Sequence, residues 1–238
     1  IKQESNIKII GSMHPYLSVI SKVSNSIFDI ITLEGQSLGL NMFAGGAHLG
    51  ILACTEDLRH LTPGRLIGEV CDIYGKPSLA LVFEDREQHV ARDRATSNIC
   101  SNQALNALKA GIFIDLLGFE GIREIYSICN TKAKSLQKAL TSLDNVKATY
   151  SGDIFNEFTV SFSSSKSLAN CFEFLKGKGI ILGITSSIFE SLSENEVLIA
   201  VTETTSDSDL EIIVREVCES MNLDSEAPLE ILHSNLIK

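Results

Sequence analysis

The chain has 238 residues, 44% of them hydrophobic and 21% charged, which is enough apolar material for one large domain or two small ones. Its net charge of -10, with the acidic residues scattered, argues against a nucleic-acid partner, because phosphate contacts need a basic face. No apolar run reaches the roughly 20 residues that cross a bilayer, and the opening IKQESNIKII has no signal-peptide succession, so the expected setting is a reducing cytoplasm with no membrane partner.

From the first residue, the chain runs almost directly into a strand-like NIKII, and we expect it to begin inside a longer gene product. Apolar runs at 7–10, 28–33 and 48–53, with a helical stretch at 16–23, alternate as in a mostly parallel sheet. Between them lies LEGQSLGLNMFAGGAHLG, a loop crowded with Gly35, Gly39, Gly45, Gly46 and Gly50. Its spacing is not that of a dinucleotide fingerprint, and it reads as a tight turn approaching a ligand or another subunit. Strands at 67–70 and 79–83 flank an Asp72 to Lys76 turn and predict a hairpin. Thr96 or Ser97 then offers an N-cap for a helix carrying Leu105, Leu108, Ile112 and Leu116 and stopping at Gly118.

A second helix is predicted over 121–142, with Ile122, Ile125, Cys129, Leu136 and Leu140 on one face. Strands at 146–150, 158–162, near Ile180 and at 197–201, with helices at 168–176 and 209–221, make a small α+β domain. Residues 226–238 are either a frayed tail or a short docking helix.

Most familiar chemistry has no residue support. The closest cysteines, Cys54 and Cys71, are 17 positions apart, so no CxxC pair or zinc-knuckle spacing exists and the thiols are expected reduced and buried. His14, His48, His60, His89 and His233 each lack a second ligand at metal-site spacing, and no metal is predicted. Neither a GxSxG elbow nor a Walker loop occurs, and Glu56, Asp57, Glu84, Asp85 and Glu87 read as a solvated rim. The informative stretch is 86–103, REQHVARDRATSNICSNQ, where basic side chains lead into a hydroxyl-rich helix start. That pattern suits an anion such as phosphate. A purely structural cap, with Arg86, Arg92 and Arg94 paired to Glu87 and Asp93, accounts for the same letters.

The same stretch, extended to REQHVARDRATSNICSNQAL, resembles the signature of the glycine decarboxylase P-protein of the glycine cleavage system. DIITLEGQSLGL, GGAHLG, PGRLIGE, LLGFEGIRE, NEFTV and LIAVTET follow in the family's order, and the last three look like subunit 1 of the two-chain bacterial enzyme. The resemblance runs from about Ile7 to Met221 and corresponds to the carboxy-terminal half of that subunit. Ala91 stands where the family usually has arginine, and Asn41 and Ala47 replace usual prolines.

The resemblance implies an α/β fold: the carboxy-terminal part of a PLP (pyridoxal phosphate)-dependent transferase large domain, fold type I, over 1–118, followed by a small α+β domain over 119–238. In the family's PLP-binding subunit a His-Lys pair follows the strand equivalent to 28–33; here Gln36-Ser37 stands there, and no lysine occurs between Lys22 and Lys76. By resemblance the PLP is held covalently by a partner, subunit 2, and the assembled enzyme decarboxylates glycine and passes the aminomethyl group to the lipoyl arm of the H-protein. This chain alone is then inactive and supplies no catalytic residue. Thr96, Ser97 and Asn98 would meet the partner-held phosphate or the interface, with Arg92, Arg94 and His89 beside them. The competing reading is a non-catalytic scaffold that stabilises the partner and docks the H-protein. An aminotransferase or cysteine desulfurase of the same fold would demand its own lysine.

Overall fold

The computed structural model describes residues 7–21, 27–42, 48–62, 66–83, 87–88, 90–93, 95 and 103–236, and the chain divides into two compact units, Ile1–Ile122 and Arg123–Lys238. In the first unit, β1 (Ile10–Ser12), β2 (Ile30–Glu34) and β3 (Gly50–Cys54) form a sheet in that order. β1 lies parallel to β2, with Ile10 opposite Ile30, whereas β2 and β3 run antiparallel, with Glu34 opposite Gly50. The mostly parallel sheet expected from the alternation therefore holds for one of these two pairs. The parallel pair has α1 (Pro15–Ile20) in its crossover, and an antiparallel return needs no crossover helix. α1 starts where Pro15 takes the first turn and the His14 ring accepts the Tyr16 N–H at 3.2 Å.

The predicted hairpin forms from β4 (Leu66–Cys71) and β5 (Pro77–Val82), with Ile67 opposite Leu81 and Glu69 opposite Leu79. Its turn is built by Asp72, whose carboxylate accepts the Tyr74 and Lys76 N–H groups at 2.8 and 2.9 Å, and by Gly75 at φ 75°. Among the described residues the two strands pair only with each other.

α2 (Ala104–Thr141) is interrupted at Gly118, whose φ of 61° and ψ of -171° lie in a region open essentially to glycine alone, as the predicted stop requires. Among the described residues the helix begins at Ala104, with the Ala107 N–H donating to the Gln103 carbonyl, and the caps expected at Thr96 or Ser97 lie outside the described residues. The Asn106 side chain donates to Gln103 Oε1 at 2.9 Å, closing the first turn locally among good helix formers. Leu105, Leu108, Ile112 and Leu116 all stand exposed, while Ala110 is buried.

In the second unit, β6 (Val146–Ala148), β7 (Glu157–Phe162), β8 (Ile184–Thr185) and β9 (Glu196–Ala200) make an antiparallel sheet in the order β6-β7-β9-β8. Phe158, Val160 and Phe162 alternate onto the core face of β7, where they join Val197 and Ile199 of β9. Leu136 and Leu140 of α2, and the buried stripes of α3 (Ser165–Gly177) and α4 (Asp207–Ser220), belong to that same core. Both latter helices end in the same bonded pattern. Gly179 and Asn222 take positive φ, and Ile180 and Leu223 donate back to the carbonyls of Leu175 and Cys218. Ile180 is thus spent on stopping a helix, which is why the strand expected near it appears four residues later as β8.

The open question over the last residues is settled in favour of a docking helix: α5 (Glu226–Leu236) buries Pro228 and Leu232, and Leu232 enters the core. Cys129, Cys171 and Cys218 are buried, as expected of structural thiols, and burial pushes all three thiols up. Cys71 is exposed because it lies on the hairpin, and Cys54 is intermediate; Cys100 lies outside the described residues. No helix among the described residues is long and apolar enough to cross a membrane.

Candidate functional site

The end of β2 delivers the chain into the loop that carries Gln36 and Ser37, and this loop is tied down from several directions. Glu34 Oε1 accepts the backbone N–H groups of Gln36 and Leu49, each at 3.0 Å, and His48 Nδ1 lies 3.6 Å from the same oxygen. The Gly35 N–H donates to the Leu49 carbonyl at 2.7 Å, and the Tyr16 hydroxyl to the Ser37 carbonyl at 2.6 Å. Gly39, at φ +76°, is approached so closely by Phe113 of α2 that a Cβ there would sit 2.6 Å from the ring. One carboxylate, one phenol and one glycine therefore fix the loop's shape. Gly39 stood out in the sequence as one of a crowd of glycines, but Glu34 and Tyr16 did not; the Glu-Gly step at the strand end, answered by His48-Leu49, was the available signal.

A covalently held pyridoxal phosphate is bound through a lysine amine. Residues 35–49 contain none, and the Lys8 ammonium is committed to Asp57 at 2.7 Å and Asp29 at 3.5 Å. The loop of residues 35–49 therefore offers no amine for a covalently bound cofactor. Ser37 Oγ is a buried atom with no hydrogen-bond partner among the described residues.

Of the site residues read from the sequence, Arg92 is exposed, next to a turn in which the Val90 and Ala91 N–H groups donate to the Glu87 carbonyl. His89, Arg94, Thr96, Ser97 and Asn98 lie outside the described residues. Of the carboxylates expected to form a solvated rim, Glu56 and Asp57 are exposed, Glu87 is half-buried, and Glu84 and Asp85 lie outside the described residues. Glu56 pairs with Arg59, while Lys8 and the Thr55 hydroxyl both donate to Asp57 and hold its carboxyl down at about 2.

In the second unit the LIAVTET segment, residues 198–204, runs from β9 into a turn clamped to α2. Cys129 Sγ donates to Glu203 at 3.6 Å, and Lys132 Nζ donates to the Thr205 carbonyl and pairs with Asp207 at 3.6 Å. Burial, and then the Glu203 charge, push the Cys129 thiol up to about 11, so this sulfur stays a protonated donor rather than a nucleophile. The turn passes directly into the Ser206 and Asp209 capping box of α4.

The profile of the glycine cleavage system P-protein matches residues 2–217. The chain belongs to this family. A probable glycine dehydrogenase (decarboxylating) subunit 1 from Dictyoglomus turgidum is 36% identical over 226 residues, covering 93% of this chain and 49% of the relative. A crystal structure of an inhibitor-bound glycine decarboxylase (P-protein) of the glycine cleavage system superimposes with a TM-score of 0.79 at 28% identity, over 90% of this chain and 48% of that one. Glutamate decarboxylase from Lactobacillus brevis, at 14% identity and a TM-score of 0.58 over 91% of this chain and 47% of its own, shares the fold alone. The P-protein chain thus has the α/β fold of type I PLP-dependent enzymes, and it spans about half the length of the curated relatives it matches.

Proposed function

We propose that this chain is subunit 1 of glycine dehydrogenase (decarboxylating) and completes an active site whose PLP is held covalently by the lysine-bearing subunit 2. The observation that carries the reading is the loop after β2: in a chain of this family it has Gln36-Ser37 in place of an amine and is closed by Glu34, Tyr16 and the contact of Gly39 with Phe113. When bound, the cofactor supplies the electron sink for loss of carbon dioxide from glycine, after which the assembled enzyme transfers the aminomethyl group to the lipoyl arm of the H-protein. This chain's share is to bind and orient. Thr96, Ser97 and Asn98 offer hydroxyl and amide groups toward the partner-held phosphate or the interface, and His89, Arg92 and Arg94 supply positive charge nearby. A cytoplasmic setting and two functional domains, 1–118 and 119–238, belong to the same reading.

The test is the double substitution Ser97→Ala and Asn98→Ala in the assembled enzyme. PLP retention, followed by cofactor absorbance after gel filtration, is expected to weaken; unchanged affinity and stoichiometry remove both residues from the site. A loop closed on itself also favours the scaffold reading, in which subunit 1 stabilises subunit 2 and docks the H-protein. Glycine–carbon dioxide exchange by subunit 2, alone and with this chain, separates the two readings: full activity of subunit 2 alone supports the scaffold.

A further inference from the structure

Tyr16 is buried at 3% exposure near the start of α1, and its polar end is spent on another element. The hydroxyl donates to the Ser37 carbonyl at 2.6 Å, 21 positions away, in the turn that follows β2. A phenol in a core costs free energy unless its O–H finds an acceptor, and a phenylalanine or leucine would fill such a space without that demand. What the oxygen adds is a fixed point for the turn.

The anchor end of this bond is itself held to the sheet. The Met13 N–H donates to the Thr32 carbonyl of β2 at 3.3 Å, and Pro15 takes the first turn of α1. The His14 ring accepts the Tyr16 N–H and stands edge-on to the Tyr16 ring, with 4.9 Å between centroids. At the other end the turn closes on its own backbone, the Leu38 N–H donating to the Gly35 carbonyl at 3.0 Å and the Leu40 N–H to the Gln36 carbonyl at 3.1 Å. Those bonds give the turn a shape but travel with it, so its placement depends on ties from the residues around it. Glu34 holds its beginning, the Tyr16 hydroxyl its middle, and Phe113 packs against Gly39 at its end. Without the hydroxyl, the Ser37 carbonyl loses this donor and the middle of the turn loses its tie to α1.

Resting on the subunit reading above, we infer that Tyr16 is a positioning residue of the assembled site: its hydroxyl sets where Gln36 and Ser37 stand toward the partner-held PLP, and so how firmly the assembled enzyme keeps that cofactor. It acts through the Ser37 carbonyl rather than by contact with the cofactor.

The test assembles the native chain with the lysine-bearing subunit and measures the Kd for PLP by absorbance titration, with amide hydrogen exchange at Leu38 and Leu40 as a second readout. Wild type is compared with Tyr16→Phe, which keeps the ring and loses the donor, and with 4-aminophenylalanine in place of Tyr16, which returns an N–H donor to the end of the ring. Ser206→Ala, which loses a hydrogen bond in the second unit, is the control. Tyr16→Phe is expected to raise the PLP Kd about three- to tenfold, the range of one lost hydrogen bond, and to speed exchange at Leu38 and Leu40. The amino variant is expected to recover most of the affinity, and Ser206→Ala to keep the wild-type Kd. An unchanged Kd in Tyr16→Phe, with or without faster exchange, overturns the inference and leaves the subunit reading standing, since the tyrosine is then merely structural. Equal loss of affinity in Ser206→Ala also overturns it, because affinity then follows overall stability. A wild-type chain that leaves the PLP affinity of the lysine-bearing subunit unchanged defeats the subunit reading and takes the inference with it. Should Tyr16→Phe fail to fold, 3,5-difluorotyrosine at this position carries the test. Its more acidic hydroxyl gives up the donated proton as pH rises, and the PLP Kd is expected to climb relative to wild type over that range; parallel pH profiles overturn the inference.

Discussion

Asp57 has no shelter from water, yet its carboxyl titrates near 2 because the Lys8 ammonium donates to one oxygen and the Thr55 hydroxyl to the other. A carboxyl depressed in the folded state contributes stability that is complete above its ordinary value of 3.8 and is lost as pH falls toward 2. Lys8 is raised by the same hydrogen bond, so its contribution is present below 10.5 and fades as pH climbs beyond. Lys8→Met is therefore expected to move the Asp57 titration up toward 3.8, read from the carboxyl resonance by NMR. A titration that stays near 2 would show that Thr55 alone holds it. At this scale the sequence was mute for a physical reason: Lys8 and Asp57 are 49 positions apart, and charge partners chosen by the fold leave no local pattern. Gly39 is similar. The glycine crowd was visible, but which glycine must yield to a ring depended on Phe113, far along the chain.

At the scale of single elements the local signals were strong where backbone chemistry is local. The Asp72 to Lys76 turn, the break at Gly118 and the alternation in β7 are short-range consequences of side-chain oxygen, missing Cβ and period-two burial. The Thr96-Ser97 cap falls outside the described residues, and the first described helical residue is Ala104. The strand expected near Ile180 did not form there, since an apolar residue after a glycine serves a helix stop as readily as a strand. The capping box of α4 offers a clean test. Ser206→Ala removes the hydroxyl that accepts the Asp209 N–H and is expected to cost about 1 kcal/mol in urea unfolding. Ser206→Asp is expected to restore most of that loss; if both variants unfold like wild type, the cap contributes nothing.

Across the whole molecule the two units differ in how completely they close their own cores. The second collects Leu136, Leu175, Ile199, Leu210 and Leu232 at essentially zero exposure, whereas the first leaves large apolar side chains of its hairpin and of the first half of α2 in water. Hydrogen exchange on the isolated chain should follow that contrast, with the amides of β7 and β9 slowest and those of β4 and β5 fast. Equal protection in the hairpin would mean that it is covered by the chain itself. Family membership was legible from 86–103 and the motifs around it, whereas what covers the hairpin was not: hydrophobicity announces burial without saying which polypeptide provides it. The hairpin also bears on how the isolated chain behaves in solution. Ile73 and Tyr74 stand in water beside two strand edges unpaired among the described residues, and such surfaces invite aggregation, chaperone capture and proteolysis wherever nothing covers them.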